Sequence, residues 1–247
     1  KASRLAIAPG SGTQMAKSVA DLVLVRGDFS AVPAMVAEGR KILRNLHRVA
    51  KLFVTKSVFA AFVVLTLGIS PQSFPVLPRH LTLVATLAIG FPAFFLALAP
   101  SSGTWQEKGF LRGISRFAIP AGTAAGLGVV SSYLFSLEVI NLPLIEAQTV
   151  ATTVLMIVGL YFILVLEAAG RTRGAAVTVL CAAMLAIYVL ALVFPATREF
   201  FELAVPNLPI ILSALGGSLL AILGLAAMDE RFVPGRAFEG LGNADSD

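Results

Sequence analysis

The sequence predicts a membrane protein of the all-α class, in which six transmembrane helices follow a short, incomplete α/β segment and a long amphipathic helix. Two observations predict this fold. Hydrophobic residues make up 57% of the 247 positions and charged residues only 13%, which is too apolar for an ordinary soluble domain. The chain also contains six apolar runs of about 20 residues, the length that crosses a bilayer core. Lipid is therefore the solvent for most of the chain.

The N-terminal segment has the pattern of a strand, a helix and a second strand. Leu5–Ala8 and Leu22–Val25 are short apolar runs, and turn-forming residues follow each of them. Between the two runs, the turn GSGT precedes a helix that Thr13 is placed to cap. This order predicts half of an α/β layer over residues 1–29.

The GSGT turn at Gly10–Thr13 has two interpretations. Helix N-termini attract anions, so the turn could bind a phosphate group. The stricter phosphate-loop pattern, however, requires a glycine directly before Lys17, and Ala16 stands there. We therefore favour a tight connection inside the α/β layer.

A long amphipathic helix is predicted from Ser30 onwards. Apolar residues recur at helical spacing, and charged residues fill the positions between them. The pattern runs over residues 30–48 and enters the first apolar run without a break. Such a helix would link the α/β segment to the membrane as one rigid element.

The six apolar runs are predicted to be helices, because lipid offers no hydrogen-bond partners to an exposed backbone. Together they define a membrane domain over residues 49–228, which leaves residues 229–247 as a C-terminal tail. The predicted spans are Val49–Ile69, Leu81–Ala99, Phe117–Leu137, Val150–Leu166, Ala175–Phe194 and Leu208–Met228.

Basic residues predict how the spans are oriented, since Lys and Arg accumulate in short cytoplasmic loops. They are concentrated before the first span, in the second and fourth loops and in the tail. Only Arg79 and Arg198 lie in the other loops. We therefore expect both termini to be cytoplasmic, in a cell-membrane protein. Basic and aromatic residues do not alternate in the manner of a nucleic-acid-binding surface, so nucleic acid is not an expected partner. The basic residues of the second loop, the fourth loop and the tail are Lys108, Arg112, Arg116, Arg171, Arg173, Arg231 and Arg236.

Two further features of the spans indicate packing rather than chemistry. Cys181 is the only cysteine and lies mid-helix, which favours a buried packing residue. The third predicted span carries small residues that allow helices to approach closely. These small residues are Ala121, Gly122, Ala125, Gly126 and Gly128.

The motifs of the first 100 residues resemble those of P-type ATPases. In that family, a GIAMGSGT-like strand and turn ends the HAD-like phosphorylation domain. A VLxxxDF strand, an EGR-bearing stalk helix and the fifth transmembrane helix then follow. This chain has IAPGSGT, LVLVRGDF and EGRKILRN in the same order. GFPAFFLALAP at Gly90–Pro100 is similar to the G-x-P-A pattern of the sixth helix. Among the members of the family, the chain most resembles the type E cation-transporting ATPases of actinobacteria.

The resemblance implies that the six spans are transmembrane helices five to ten. The full-length protein would use ATP and Mg²⁺. Its DKTGT phosphorylation site, TGE loop, nucleotide domain and GDGxND loop would all precede Lys1. No residue of this chain is therefore expected to be catalytic, and the chain alone should be inactive. Its expected partners are membrane lipid, the N-terminal half of the same polypeptide and a small cation.

The expected cation site lacks the usual ligands. Calcium prefers several oxygen ligands, including carboxylates, yet no Asp or Glu lies in the interior of a predicted span. Aligned on the family's motifs, the positions of the ligands that calcium pumps carry in the fifth and sixth helices are occupied by Ser57, Ala60, Ala85 and Ile89. Cation binding would then require hydroxyls, backbone carbonyls or a helix from elsewhere in the polypeptide, and the identity of any metal stays unknown.

Lys56, flanked by Thr55 and Ser57, is the only charge well inside a span. It lies about a turn and a half beyond Lys51, so its side chain could extend to the cytoplasmic interface. Alternatively it is an internal counter-cation, since a charge at membrane depth is costly and usually functional. The sequence leaves both interpretations open.

Gly90 and Pro92 predict a break in the second span, because proline removes a backbone donor and clashes with the preceding turn. Helix breaks in transporters line substrate cavities, although a proline kink also serves packing. Thr86 is the nearest hydroxyl on this helix. The Thr86 hydroxyl would form a hydrogen bond either to the backbone of its own helix or to a substrate.

Together these observations predict the transport portion of an ATP-driven cation pump, with calcium as the first choice of ion from the family resemblance. A lipid-flipping P-type ATPase is the alternative within the family. A stand-alone six-span channel or scaffold is the alternative outside it. The coding sequence before Lys1 separates these classes, since in-frame DKTGT and GDGxND motifs would support a pump.

Overall fold

The computed structural model of the protein describes residues 5–68, 70–98, 109–168, 174–228 and 232. Three basic residues of the predicted loops, Lys108, Arg171 and Arg173, lie outside these ranges. The predicted tail over 229–247 also lies outside them, with the exception of Phe232. The described chain divides into two compact units, one that ends at Arg44 and one that begins at Asn45.

The N-terminal unit contains the predicted strand, helix and strand. Strand β1 (Ile7–Pro9) pairs in parallel with β2 (Leu22–Leu24), and helix α1 (Gln14–Val19) connects them. The Thr13 side chain caps α1 by accepting a hydrogen bond from the Ala16 N–H at 3.2 Å, as predicted.

The GSGT turn fits tightly against the second strand. A Cβ on Gly10 would lie 2.2 Å from the carbonyl oxygen of Val25, so only glycine fits at the start of this turn. The interpretation as a tight α/β connection therefore has a steric basis.

Most of the remaining described residues are helical, which confirms the predicted membrane all-α class with a small α/β part. Among the described residues, six helical stretches are long and apolar enough to cross a membrane. The helices are α2 (Ala31–Leu67), α3 (Pro78–Ala85), α4 (Phe91–Leu98), α5 (Phe110–Leu134), α6 (Leu144–Ala168), α7 (Gly174–Val193), α8 (Pro195–Phe201) and α9 (Leu208–Met228). A π turn over Thr86–Gly90 joins α3 to α4, and a second π turn over Phe135–Val139 extends α5.

Several helices are longer than the apolar runs that predicted them, whereas α9 has the predicted bounds. Helix α5 begins at Phe110, two turns before the predicted start at Phe117, and α6 begins at Leu144 rather than Val150. Hydropathy marks only the part of a helix that matches the hydrocarbon core, whereas backbone hydrogen bonding continues into the interface. Helix α2 is likewise one element of 37 residues. No change in its backbone marks the boundary at residues 48 and 49, and the domain division stays a prediction.

Helices α5, α6 and α9 form the centre of the second unit. Many of their fully buried side chains are small or medium-sized, which allows close helix packing. Buried hydroxyls of these helices, such as those of Thr152 and Ser218, donate to the backbone of their own helix. The centre includes Ala118, Ala121, Val129, Ala151, Val154, Ile163, Ala214 and Leu225, each 1% exposed or less. Cys181 on α7 is also buried, and its thiol lies 3.9 Å from the carbonyl of Leu160, as the packing interpretation predicts.

Glycines on α5 set how closely α2 approaches. A Cβ on Gly122 would lie 2.6 Å from the Val58 Cβ and 2.9 Å from the Thr55 carbonyl oxygen. One turn later, a Cβ on Gly126 would lie 2.3 Å from a ring carbon of Phe62. The two helices therefore meet through a small-residue seam, as the glycines of the third predicted span indicate.

The start of α3 is anchored by buried polar contacts. The fully buried His80 ring accepts a hydrogen bond from the Leu77 N–H through Nδ1 at 3.2 Å, so Nε2 carries the proton and points to the Glu202 carbonyl at 3.4 Å. Beside it, Arg79 forms an ion pair with the Glu202 carboxylate at 3.1 Å. These contacts hold the first turn of α3 to the end of α8.

We predict that Gly122→Ala destabilises the protein by about 1–3 kcal/mol, because the added methyl group forces α2 away from α5. Gly224→Ala on α9 is the matched control, since nothing lies within 4 Å of the position of its added Cβ. Thermal unfolding of the two purified variants in the same detergent measures the difference. Equal melting temperatures would show that the seam is not a close packing contact.

Candidate functional site

A groove of about 760 Å³ runs between α2 and the helix formed by α3, the π turn and α4. A smaller cavity of about 50 Å³ adjoins it towards α5 and α6. The same four residues, Lys56, Leu81, Ala85 and Ile89, line both spaces. The groove and the cavity are therefore parts of one site.

The structure brings four of the six predicted site residues to this site. Lys56, Thr86 and Gly90 line the groove, and Thr55 lines the cavity. Ser57 and Pro92 line neither space. Ser57 is exposed on another side of α2, because one residue turns a helix by about 100°. Pro92 is buried. Whether these six residues form a transport pathway stays a prediction.

Thr82 also lines the groove, and sequence reasoning did not find it. It lies one turn before Thr86 on the same face of the helix. The signal that could have found it is the spacing of four residues between two hydroxyls. Thr82, Thr86 and Lys56 are the polar side chains of the groove, and the other described lining residues are glycine or apolar.

Two of the four positions aligned with cation ligands also face this site. Ala85 and Ile89 line both the groove and the cavity, whereas Ser57 and Ala60 line neither. The aligned positions of the sixth helix thus line the groove and the cavity, whereas those of the fifth helix do not. On α2, Lys56 lines both spaces and Thr55 lines the cavity.

The ammonium group of Lys56 is exposed in this structure. Within the described ranges, it has no ion pair and no hydrogen bond. A cation on an apolar face is expensive unless water, a headgroup or a counter-charge reaches it. Lys56 is thus the strongest electrostatic feature of the groove.

The hydroxyl groups of the site are satisfied by their own helices. Thr55 donates to the Lys51 carbonyl at 2.7 Å, Thr86 donates to the Thr82 carbonyl at 2.8 Å, and Thr82 donates to the Pro78 carbonyl at 3.0 Å. Each hydroxyl oxygen keeps lone pairs after donating its hydrogen. The site therefore offers neutral oxygen acceptors that need not break an existing bond to bind a cation.

The predicted helix break takes the form of a π turn rather than an interruption. The Phe91 N–H bonds to the Thr86 carbonyl, five residues back. Pro92 has no N–H, so the carbonyl of Ala88 lacks its ordinary helical donor. The wider turn keeps the backbone helical, and Ala88 lines the cavity. Such turns occur frequently at functional sites.

The structure has room for a larger residue than glycine at position 90. A Cβ at this position would lie 3.5 Å from the Ala85 carbonyl, an ordinary contact. Gly90 lines the groove without a side chain.

None of the described residues that line the groove carries a carboxylate. Among the described residues, no group of three or more His, Cys, Asp or Glu side chains could hold a metal ion.

Comparison with known proteins identifies the family. No protein-family model matches the chain. The chain is 31% identical over 87% of its length to the calcium-transporting ATPase CtpE of Mycolicibacterium smegmatis. It is 30% identical over 92% of its length to the protein of that name from Mycobacterium tuberculosis. A third relative, the probable cation-transporting ATPase exp7 of Streptococcus pneumoniae, is 29% identical over 52% of the chain.

The chain belongs to the P-type ATPase family. Its predicted resemblance to the type E members is thereby confirmed. This P-type ATPase chain spans 28% to 30% of the length of the two calcium-transporting relatives. With six membrane-length helices among its described residues, it is a multi-pass membrane protein.

We predict that the groove of this P-type ATPase is wet. In a Cys181→Ser background of the complete polypeptide, Thr86→Cys should react with a charged maleimide about tenfold faster than Thr123→Cys, because the reactive thiolate requires water. Thr123 on α5 is the control, since its hydroxyl makes the same backbone bond at 2.8 Å outside the groove. Equally slow labelling at both positions would mean that the groove faces only lipid.

Proposed function

We propose that the chain is the transport portion of an ATP-driven P-type pump for a small cation, with calcium as the first choice. The observation that carries the proposal is the convergence of Lys56, Thr82 and Thr86 on one groove beside a π turn. The relatives support the choice of ion, because two of them are named calcium-transporting ATPases.

In this proposal, residues 1–29 end the phosphorylation domain, residues 30–48 form the stalk and residues 49–228 form the membrane domain. The stalk transmits motion to the groove, since α2 carries both the stalk residues and Lys56 within one helix. The tail over 229–247 and the N-terminus are cytoplasmic in a pump of the cell membrane. The basic residues before the first span and in the second loop support this orientation.

The chemistry of ATP belongs to the rest of the polypeptide. The complete protein would use ATP and Mg²⁺ at a site formed by residues outside this chain, and its N-terminal half would be the obligatory partner. No residue of the chain is proposed to be catalytic, and the chain alone is not expected to hydrolyse ATP. Membrane lipid surrounds the helices, and nucleic acid is not a proposed partner.

The cation would be held by oxygen atoms of the helix that α3 and the π turn form. Thr82 and Thr86 supply hydroxyl oxygens, and the Ala88 carbonyl supplies a backbone oxygen without its ordinary helical donor. Lys56 opposes these acceptors with a positive charge. We propose that its ammonium group occupies the site between transport events and is displaced when the cation enters.

We predict that Lys56→Met spares folding but changes the pH dependence of cation transport, because it removes the positive charge that competes with the cation. Lys56→Arg is the matched control, since it keeps a positive charge at this position. Cation uptake by vesicles that contain the complete polypeptide, followed across pH, is the measurement. A Lys56→Met profile that coincides with the wild-type profile would assign Lys56 to the interface instead.

We also predict that Thr82→Val and Thr86→Val each weaken the apparent affinity for the cation by about tenfold, as expected for one polar contact to a charged group. Thr66→Val is the control, because the Thr66 hydroxyl makes the same 2.8 Å backbone bond at the end of α2, away from the groove. Cation-stimulated ATPase activity measures the affinity. An equal effect of all three substitutions would indicate a general loss of helix stability.

ATPase activity of the complete polypeptide, measured with different ions, also separates the alternative functions. Stimulation by calcium, magnesium, manganese or protons supports a cation pump and names the ion. Stimulation by none of them would favour a lipid-flipping ATPase. Such a pump needs no carboxylate ligands, and a groove with mostly apolar walls suits a lipid substrate. An upstream coding sequence without DKTGT and GDGxND motifs would instead favour a stand-alone channel or scaffold.

A further inference from the structure

A second groove, of about 620 Å³, lies between the end of α5 with its π turn and the N-terminal part of α9. We call it the α5–α9 groove. The two helices touch within it, since a Cβ on Gly217 would lie 2.6 Å from the Ser132 Cβ. At the adjacent Gly216 nothing lies within 4 Å of an added Cβ, so the groove is open there. Its flanks carry large apolar side chains that are about half exposed, namely Phe135, Leu212 and Leu220.

The α5–α9 groove is on the side of α5 that faces away from α2. Ser131 lines the groove and follows Gly122 by nine residues, which is two and a half helical turns. Gly122 faces α2 across the glycine seam, so Ser131 lies on the opposite face of α5. This groove is therefore separate from the groove that contains Lys56.

A buried hydroxyl without a hydrogen-bond partner lines the α5–α9 groove. Ser213 of α9 is 8% exposed, and its side chain has no hydrogen bond among the described residues. Burying a hydroxyl in hydrocarbon without a partner is costly. Ser213 therefore requires an acceptor from outside the described part of the chain. The other buried serine and threonine side chains of the described residues each donate to a carbonyl of their own helix, and they are Thr55, Ser132, Ser136, Thr149, Thr152 and Ser218.

The Ser213 hydroxyl lies near the boundary of the hydrocarbon core. Helix α9 begins at Leu208, and its 21 residues are about 32 Å long, which matches a bilayer core of about 30 Å. Ser213 follows Leu208 by five residues, or about 7 Å, and a helical side chain tilts towards the N-terminal end of its helix. The hydroxyl is thus within reach of the ester carbonyls that join the headgroups of membrane lipids to their acyl chains.

The dimensions of the α5–α9 groove favour a lipid chain over a protein helix. Its lining residues on α9 extend from Leu208 to Leu220, a rise of about 18 Å, so a volume of about 620 Å³ gives a mean cross-section of about 35 Å². A helix about 10 Å in diameter has a cross-section of about 80 Å², whereas an extended acyl chain is much thinner. None of the described lining residues is charged, so the groove offers no selection for a charged headgroup.

We propose that the α5–α9 groove binds one ester-linked membrane lipid. Its acyl chain lies along the open surface at Gly216, between Phe135 and Leu220, and its ester carbonyl accepts a hydrogen bond from the Ser213 hydroxyl. The lipid supplies the acceptor that Ser213 lacks and fills an apolar space between two helices. The groove recognises the ester group and the chain rather than the headgroup.

Native mass spectrometry of the purified complete polypeptide tests the contact with the ester. We expect ester-linked phosphatidylcholine to bind about fivefold more tightly than ether-linked phosphatidylcholine with the same chains, which is the size of one neutral hydrogen bond. Ser213→Ala should remove this difference, and the difference should be the same for phosphatidylglycerol. Ser218→Ala is the matched control on α9 and should keep the difference, since the Ser218 hydroxyl already donates to the Ala214 carbonyl at 2.7 Å.

A larger side chain in the groove tests the contact with the acyl chain. Gly216→Leu should lower the affinity for both the ester-linked and the ether-linked lipid by about tenfold, the loss expected when about two methylene groups are displaced. Gly224→Leu is the control and should leave both affinities unchanged. An added Cβ at Gly224 also has nothing within 4 Å, but this residue does not line the groove. The Ser213→Ala comparison stands even if Gly216→Leu does not fold.

Three outcomes would overturn the proposal. The first is equal affinity of the wild-type protein for ester-linked and ether-linked lipid, or a difference that Ser213→Ala leaves unchanged. The second is a folded Gly216→Leu protein with the wild-type affinity for both lipids. The third is a photoreactive amino acid in place of Leu212 that crosslinks to a protein segment instead of a lipid, which would show that a helix fills the groove. None of these results bears on cation transport, so the proposed function would stand or fall separately.

Discussion

The structure depends on one constraint, which is that hydrocarbon offers no hydrogen-bond partner to a polar group. Most hydroxyls of the membrane-length helices meet this constraint by donating to their own backbones, as Thr55, Thr86 and Thr123 do. At Pro92 the ordinary donor is missing, because proline has no N–H to offer the Ala88 carbonyl. Ala88 lines the cavity that Lys56 also lines. A missing helical donor near a charged side chain is the physical reason to propose transport at this site.

Packing explains how the groove is held in place. Gly122 and Gly126 bring α5 against α2, and His80 and Arg79 fix the start of α3 to the end of α8. The two walls of the groove are thus supported by separate contacts, one apolar and one polar. This arrangement leaves the space between the walls open, while α5, α6 and α9 supply the closely packed centre behind it.

Sequence reasoning predicted the features that follow from local chemistry. Apolar runs predicted six spans, and the Thr13 cap and the strand–helix–strand order followed from turn residues. It did not predict that α5 begins at Phe110, because hydropathy follows the hydrocarbon rather than the hydrogen bonds. It expected a break at Pro92, whereas the backbone absorbs the proline in a π turn. Thr82 was missed and Ser57 was included because the face of a helix that meets a neighbour depends on tertiary packing.

The central claim is that the cation passes along the groove between α2 and the π-turn helix. The most direct test places a removable block there, by forming a Cd²⁺ bridge between Thr82→Cys and Thr86→Cys in a Cys181→Ser background, since thiolates bind soft metals tightly. The control pair is Thr123→Cys and Leu127→Cys, at the same spacing on α5. The account predicts that Cd²⁺ stops cation uptake by the Thr82→Cys/Thr86→Cys protein, that a chelator restores it, and that the control pair is unaffected. Uptake that continues with Cd²⁺ bound at Thr82→Cys/Thr86→Cys would contradict it.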